Sequence, residues 1–365
     1  MRFDHYTSRG RNTIAKYLLE EVLEYNSDMA EDVIYRCLGC KACEEICKPK
    51  LLPGMKGLEN MKIIRAMRED CWNLSLVPNK LKDVCKKIMH PNFKNPFGLD
   101  KEDRSDWAEE LDIPKKADVL YFAGCAAAYQ NQNTPEAVIK IFKEAGQEVA
   151  FLGNDELCCG HQLIWIGAVE DARKNARELI IKIKETKAKK VVFSCAACYN
   201  TFKNDYKSIG IDVPFKVEHI STTFSRLLKK LNLKNKFEKE VTYHDPCHLG
   251  RYANEYKNPR KIIEKVGANL IEMERNKKYA WCCGAGSGGT CIINYPELND
   301  SIRSKRIKEA QETETKTLIT ACPMCLKNLR DAAFANDIEM DFYDLPNLIA
   351  KVLGLKSDLY DSWKG

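Results

Sequence analysis

The sequence predicts an α+β protein of several domains, in which a helical N-terminal domain precedes two repeated α/β domains with parallel sheets. Three observations lead to this prediction. One cysteine pattern occurs twice in the last two thirds of the 365-residue chain, strand and helix signals alternate from residue 117 onward, and the preceding region has helical periodicity. Because parallel strands need crossover helices, the alternation indicates sheets that are covered on both faces.

The N-terminal helical domain is expected to span residues 1–114. Apolar residues at helical spacing predict helix over 11–35, where Ser27 caps a short second helix, and an amphipathic helical stretch over 56–90. A turn-rich linker and a charged helix then lead to Pro114, where the boundary is placed. The expected core positions of the amphipathic stretch are Met61, Ile64, Met67, Leu81, Val84 and Ile88.

The two α/β domains are expected to span residues 115–236 and 237–365. In the first of them, strands are predicted over 118–123, 148–152, 190–194 and 215–218, and helices over 134–145, 169–186, 198–208 and 221–231. The second is expected to repeat this order from 241 to about 354. Similarity between the copies extends beyond cysteine, because Val-Leu-Tyr-Phe-Ala-Gly-Cys at 119–125 corresponds to Val-Thr-Tyr-His-Asp-Pro-Cys at 241–247.

Composition and charge narrow the class of protein. The 58 basic and 52 acidic residues are nearly balanced, which gives no reason to expect a nucleic-acid partner. The sequence has neither a long apolar stretch nor the apolar core of a signal peptide, so a cytoplasmic protein without a transmembrane segment is expected. In that reducing compartment the 17 cysteines are expected to bind metal rather than to form disulfides.

The first cysteine motif contains Cys37, Cys40, Cys43 and Cys47. Its spacing, C-x2-C-x2-C-x3-C, is typical of bacterial ferredoxins, and its tight turns are expected to direct three thiolates to one cubane 4Fe-4S cluster. In two-cluster ferredoxins the fourth cysteine binds the other cluster, but the sequence has no second run of this kind. Cys71 and Cys85 are candidates for a missing ligand, although a buried apolar role is the favoured interpretation of both.

The doubled pattern has five cysteines in each copy, spaced C-x32-CC-x35-C-x2-C and then C-x34-CC-x38-C-x2-C. Its members are Cys125, Cys158, Cys159, Cys195 and Cys198 in the first copy, and Cys247, Cys282, Cys283, Cys322 and Cys325 in the second. In each copy the first cysteine and the start of the C-x2-C pair fall at the carboxyl end of a predicted strand, where open α/β sheets bind ligands. The C-x2-C pairs also begin helices, whose N-terminal amides favour thiolates. Gly160 and Gly284 follow the adjacent pairs and allow the backbone to approach a metal centre.

These residues resemble a known family. The doubled pattern, together with Cys282-Cys283-Gly284-Ala-Gly and Asp245-Pro-Cys247-His-Leu-Gly-Arg251, resembles the CCG cysteine-rich domains of heterodisulfide reductase catalytic subunits of the B and D types. The first cysteine motif resembles the helical ferredoxin-type domain of fused members. The resemblance implies that each five-cysteine set holds a noncubane 4Fe-4S cluster and that the first motif holds a cubane 4Fe-4S cluster.

The resemblance also implies a function. In heterodisulfide reductases a substrate disulfide binds between the two noncubane clusters and is reduced to two thiols with electrons that pass through cubane clusters. The chain is therefore expected to be an oxidoreductase that acts on the sulfur group of a small-molecule thiol or disulfide. It is expected to be one subunit of a hetero-oligomer whose partner is an electron-donating flavoprotein or iron-sulfur subunit, which can also hold it at a membrane surface.

Alternatives stay open at this point. Related domains in electron-transfer subunits of flavin-dependent 2-hydroxyacid or glycerol-3-phosphate dehydrogenases resemble this chain nearly as well, and fold does not separate the two functions. Zinc ribbons at the C-x2-C pairs would leave the adjacent cysteine pairs and the first motif unexplained. The chain also departs from the family pattern, because no second cubane motif precedes the first and Pro49 follows Cys47 one residue late. A partner subunit, Cys47 itself or further chain could complete the cubane.

Several polar residues adjoin the cysteines. His248 follows Cys247 and is the expected proton donor to a departing thiolate. Arg251 is a candidate to hold an anionic substrate or to form a surface ion pair. His161 and His244 are as consistent with a hydrogen bond to sulfur as with a local backbone contact.

Overall fold

The computed structural model describes residues 4–47 and 57–355. Across these ranges the protein combines helices with two parallel sheets, which confirms the mixed helical and parallel-sheet class. The expected domain boundaries after residues 114 and 236 stay predictions. Pro49 lies outside the described residues.

The N-terminal region is helical. Its α-helices are α1 (Ser8–Leu19), α2 (Ala42–Ile46), α3 (Asn60–Asn73) and α4 (Asn79–Met89), with a π-helix over Met29–Ile34 and 3-10 helices over Asp4–Tyr6 and Glu102–Ala108. All six core positions expected of the amphipathic stretch are buried. The prediction of Ser27 as a cap is wrong, because the side-chain oxygen of Asn26 accepts the hydrogen bond from the Met29 N–H at 2.9 Å.

The first repeat contains three paired strands. Its elements are β1 (Val119–Phe122), α5 (Cys125–Gln130), α6 (Asn133–Glu144), α7 (His161–Ile166), α8 (Val169–Glu185), β2 (Lys190–Phe193), α9 (Ala196–Asn200), α10 (Tyr206–Ser208), β3 (Lys216–His219) and α11 (Ile220–Leu227). A π-helix over Thr201–Asp205 joins α9 to α10, and a 3-10 helix covers Gly153–Asp155. The strands are parallel in the order β1-β2-β3. The predicted strand over 148–152 is reduced to one parallel bridge between Ala150 and Leu120.

The second repeat has the same strand order with four strands. Its elements are β4 (Glu240–His244), α12 (Cys247–Gly250), α13 (Lys257–Lys265), β5 (Asn269–Leu270), α14 (Thr290–Asn294), α15 (Pro296–Gln311), β6 (Thr317–Thr320), α16 (Pro323–Ala335), β7 (Asp341–Asp344) and α17 (Leu345–Val352), with a 3-10 helix over Lys277–Tyr279. The parallel order is β5-β4-β6-β7, in which β5 takes the place of the bridge at Ala150. Strands β1 and β6 are buried along their whole length, as expected for sheets covered on both faces.

The two repeats contact each other through matching helices. Helix α6 packs against α17, and its counterpart α13 packs against α11. In the same way, α5 packs against α16 and α12 packs against α9. In each case, a helix of the first repeat contacts a helix of the second, and the counterparts of those two helices make the same contact with the repeats exchanged. The interface therefore has approximate two-fold symmetry. The last two pairs carry cysteines from both copies of the doubled pattern, which brings those copies together.

The N-terminal helices are fitted closely to the first repeat. Gly167 ends α7 with φ of 103°, and a Cβ at this position would lie 2.2 Å from the carbonyl oxygen of Arg68 on α3. The guanidinium of Arg68 is buried and donates to the Trp165 carbonyl oxygen at 2.9 Å. This close approach of α3 to α7 therefore depends on a glycine.

Substitution of Gly167 by alanine should destabilise the protein more than the same change at Gly210. Both glycines have positive φ, but a Cβ at Gly210 (φ 74°) would meet no atom within 4 Å. Overpacking should add about 1–3 kcal/mol to the loss at Gly167. The measurement is the free energy of unfolding by anaerobic chemical denaturation, and equal losses in the two variants would contradict the packing argument.

Candidate metal centres

The ends of the strands position four of the cysteines. Cys125 begins α5 a short turn after β1, and Cys247 begins α12 a short turn after β4. Cys195 and Cys322 are the N-cap residues of α9 and α16. The predicted placement of these cysteines at carboxyl strand ends and at helix N-termini is confirmed. Free backbone N–H groups at these helix starts suit a thiolate.

The two Cys-Cys-Gly turns have the same local geometry. Gly160 and Gly284 have φ of 73° and 93°, and their backbone N–H groups lie 3.4 Å from the sulfurs of Cys158 and Cys282. The positive φ redirects the chain after each cysteine pair, in a conformation that glycine adopts without strain. The glycines therefore do more than leave space, because each supplies a hydrogen bond to sulfur.

The ten thiols of the doubled pattern form one continuous row in which each interacts with the next. The sulfurs of Cys283 and Cys325 are 3.4 Å apart. The first set ends at Cys195, which interacts with Cys322 of the second set across the interface of the repeats. The order along the row is Cys125, Cys158, Cys159, Cys198, Cys195, Cys322, Cys325, Cys283, Cys282 and Cys247.

This donor set fits iron-sulfur clusters. Nine of the ten thiols are buried and Cys247 is half-buried, so water is largely excluded from the row. Thiolates are the ligands that iron-sulfur clusters use, and each set has enough of them for one four-iron cluster. A zinc site at each C-x2-C pair would use two thiols of each set and leave the other three without a role.

The first cysteine motif lies beside the second set. Cys40 interacts with Cys282, and Cys43 lies near Cys37 and Cys40. Burial raises the pKa of Cys43 to about 12. Cys47 is exposed at the end of the first described range. The structure thus brings three of the four cysteines of the motif together within the protein and leaves the fourth at the surface.

Hydrogen bonds from distant elements hold the loop of the first motif. Arg251 donates to the Cys40 carbonyl oxygen at 2.6 Å, Tyr252 donates to the Gly39 carbonyl oxygen at 2.7 Å, and Arg68 donates to the Cys37 carbonyl oxygen at 2.6 Å. Arg251 is buried, and a second nitrogen of its guanidinium donates to a backbone carbonyl of the second repeat at 2.8 Å. The predicted surface ion pair of Arg251 is therefore wrong, because its guanidinium is buried and donates to backbone carbonyl oxygens. Its predicted role in holding an anionic substrate stays a prediction.

A buried ion pair, which no sequence pattern indicated, lies beside Cys125 of the first set. Arg104 and Glu156 have fully buried side chains with 3.0 Å between guanidinium and carboxylate. Arg104 also donates to the sulfur of Cys125 at 3.4 Å, and Glu156 accepts from the backbone N–H groups of Ala123 and Gly124 at 2.9 Å. Burial opposes the charge on Arg104, but the Cys125 thiolate and Glu156 raise the pKa of this guanidinium. No motif marks Arg104.

His248 and His161 lie together between the two sets. His248 Nδ1 is 3.4 Å from the Cys247 sulfur, and its ring lies flat against Tyr252 with centroids 4.7 Å apart. Burial lowers the pKa of His248, but the Cys247 thiolate more than offsets burial and raises that pKa overall. The His161 ring centroid is 4.7 Å from that of His248, and His161 Nδ1 is 3.5 Å from an Asp205 oxygen. Burial lowers the pKa of His161.

His244 faces the second set. One of its ring nitrogens lies within 4.8 Å of both the Cys283 and Cys325 sulfurs. Arg306, which is fully buried on α15, donates from Nε to His244 Nδ1 at 3.0 Å. Sequence reasoning left the role of His244 open, and it missed Arg306, although a comparison of the two repeats could have found this arginine.

The other buried cysteines are not members of the row. Cys71 and Cys85 are buried on α3 and α4, and Cys85 lines a cavity of about 470 Å³ together with Trp72 and Met89. Cys291 is buried on α14, with its sulfur 3.6 Å from the Tyr295 carbonyl oxygen. The buried apolar interpretation of Cys71 and Cys85 agrees with these positions.

Comparison with known proteins identifies the class to which this protein belongs. A family model described as a cysteine-rich domain, CCG, matches residues 119–203 and 241–330, which carry the two thiol sets. The sheets and the ten thiols therefore belong to a protein of the CCG cysteine-rich class.

Full-length relatives give the family. The D subunit of dihydromethanophenazine:CoB--CoM heterodisulfide reductase from Methanosarcina barkeri is 31% identical over 98% of this chain and 87% of its own length. The D subunit of the same enzyme from Methanosarcina mazei is 31% identical over 92% of this chain and 82% of its own length. The chain belongs to the family of these D-type heterodisulfide reductase subunits.

More distant relatives are also redox proteins. EtfAB:quinone oxidoreductase of Syntrophomonas wolfei is 26% identical over 88% of this chain and 46% of its own length. These relatives are redox proteins, which supports iron-sulfur clusters and an oxidoreductase role in this family. In the two described ranges no helix is both long and apolar enough to cross a bilayer. The expected cytoplasmic location stays a prediction.

Cys71 and Cys85 should resist alkylation in the folded protein. Burial raises the pKa of both thiols to about 12, so both stay protonated as the pH rises to that value. At pH 8 their reactive thiolate should be roughly a thousandfold scarcer than for a thiol of ordinary pKa. Iodoacetamide labelling followed by peptide mass spectrometry checks this, with protein in urea as the control. Native labelling at the rate seen in urea would contradict it.

Proposed function

We propose that this chain is the iron-sulfur subunit of a heterodisulfide reductase-like complex that reduces a disulfide to two thiols, or catalyses the reverse. The observation that carries the proposal is the meeting of Cys195 and Cys322 at the interface of the repeats. Two five-thiol sets that adjoin at one interface can both contact a substrate whose two sulfurs must be separated. The family of the relatives supports the same chemistry.

The residues that would hold the clusters follow from the three groups of thiols. A noncubane 4Fe-4S cluster one would be held by the first set, a noncubane 4Fe-4S cluster two by the second set, and a cubane 4Fe-4S cluster by Cys37, Cys40, Cys43 and Cys47. When bound, such clusters transfer single electrons and interact with sulfur ligands. The contact between Cys40 and Cys282 supports delivery of electrons to the second set from the first motif.

His248 is the proposed proton donor. Its Nδ1 is held at the Cys247 sulfur, and stacking on Tyr252 fixes the plane of the ring. Its Nε2 is buried without a hydrogen-bond partner among the described residues, as is Nε2 of the neighbouring His161. His161 is itself oriented by Thr201, whose hydroxyl lies 2.9 Å from Nδ1. Two buried imidazoles at ring contact can therefore carry a proton toward a thiolate that forms at the interface.

A second candidate function is electron transfer without disulfide chemistry, as a subunit that serves a flavin-dependent 2-hydroxyacid or glycerol-3-phosphate dehydrogenase. The similarity to EtfAB:quinone oxidoreductase favours it. In both cases the partner is an electron-donating flavoprotein or iron-sulfur subunit. The surface around exposed Cys47 and Ile46, which is 69% exposed, lies nearest to the first motif and is the expected contact for that partner.

Loss of either set should abolish disulfide reduction. Cys159→Ala and Cys283→Ala each remove a thiol from the middle of one set, so each variant should lose the activity and about four irons per chain. The electron paramagnetic resonance signal of the cubane should persist in both. Cys291→Ala is the matched control, because this thiol is equally buried but lies outside the row, and it should keep the iron and activity. Retained disulfide reduction in Cys159→Ala or in Cys283→Ala would contradict a mechanism that needs both sets.

Replacement of His248 by glutamine separates the two candidate functions. If His248 donates a proton to a departing thiolate, kcat for disulfide reduction should fall by about 10²-fold or more with no loss of iron. Pure electron transfer needs no such donor, so the rate of electron flow from a reduced partner to a dye should not change. An unchanged kcat for disulfide reduction would contradict the role of His248.

A further inference from the structure

The two strand ends that carry the thiol sets differ at one residue. Phe122 is the last residue of β1, and His244 occupies the same place at the end of β4. Both side chains are buried. Phe122 contacts the rings of Phe193 and Phe202, with centroids 5.3 and 5.5 Å away. The first repeat thus has an apolar ring where the second has an imidazole.

A second replacement accompanies the first. Arg306 lies 16 residues before Cys322, and the residue 16 positions before Cys195 is Leu179. Leu179 is fully buried on α8, the counterpart of α15 that carries Arg306. The first repeat therefore has Phe122 and Leu179 at the positions that His244 and Arg306 occupy in the second. A histidine and an arginine that replace two apolar residues together indicate a role for the hydrogen bond between them.

Arg306 decides which nitrogen of His244 carries the proton. Its Nε–H donates to His244 Nδ1 at 3.0 Å, and arginine has only donors, so Nδ1 must accept with its lone pair. A neutral imidazole then carries its proton on Nε2. Nε2 has no hydrogen-bond partner among the described residues. One ring nitrogen of His244 lies within 4.8 Å of the Cys283 and Cys325 sulfurs, and Cys283 interacts with this side chain. A protonated Nε2 cannot offer a lone pair to a metal.

We propose that His244 donates a hydrogen bond from Nε2 to the sulfur of Cys283, and that Arg306 fixes the tautomer that makes His244 a donor rather than a metal ligand. The inference rests on the proposed assignment of cluster two to the second set. Hydrogen bonds to cluster sulfurs stabilise the more electron-rich, reduced state and raise the reduction potential. His244 therefore raises the reduction potential of cluster two, the one beside the first cysteine motif.

The test replaces the pair by its counterpart from the first repeat. The double variant His244→Phe/Arg306→Leu removes the hydrogen bond and leaves no buried arginine without its acceptor, and Glu309 keeps its ion pair with Arg275. The readout is a redox titration of the holoprotein followed by electron paramagnetic resonance, with iron counted in each sample. At a fixed potential the reduced-to-oxidised ratio of one cluster should fall about tenfold, which is about 59 mV for a one-electron couple.

A conservative variant controls for simple repacking. In His244→Gln the amide oxygen can accept from Arg306 while the amide N–H donates to sulfur. Its midpoint potential should lie closer to the wild-type value than that of the double variant. Unchanged midpoints in the double variant, equal shifts in both variants, or the loss of about four irons in the double variant, which would indicate a ligand, would each overturn the proposal. The titration does not depend on disulfide reduction, so failure of that activity leaves this test intact.

Discussion

The structure depends on the contact between the two repeats at which Cys195 and Cys322 meet. Each of these residues caps a helix that packs against the opposite repeat, α9 against α12 and α16 against α5. The approximate two-fold symmetry of this interface brings two thiol sets into one buried row. A row of thiols buried in this way is compatible with folding because helix N-termini and the N–H groups of Gly160 and Gly284 face the sulfurs.

Different polar residues then make the two halves of this symmetrical framework unequal. Cys125, at the end of the first set far from the interface, lies beside the buried Arg104–Glu156 pair. The second set contacts His244, which accepts a hydrogen bond from Arg306. A buried guanidinium is tolerated only with its acceptors in place, so each pair fixes a particular arrangement of donors around its thiols. Two sets with the same order of cysteines thus have different electrostatic surroundings.

The N-terminal region is part of the site rather than a separate attachment. The buried Arg68 guanidinium donates to carbonyl oxygens of Cys37 and of Trp165, and so joins the first cysteine motif to the first repeat. Arg251 makes the corresponding connection to the second repeat. With Cys40 beside Cys282, these hydrogen bonds hold the first motif against the second set.

The sequence by itself determined the class of fold, the doubled thiol sets and the placement of cysteines at strand ends and helix starts. These features follow from local periodicity and spacing, which a linear pattern records. It did not determine that the strand over 148–152 shrinks to a bridge at Ala150, or that Arg251 fastens a loop. Nor did it reveal Arg104 beside Cys125. Tertiary structure decided these points, because the partners of a buried charge come from segments far apart in the chain and no spacing rule connects them.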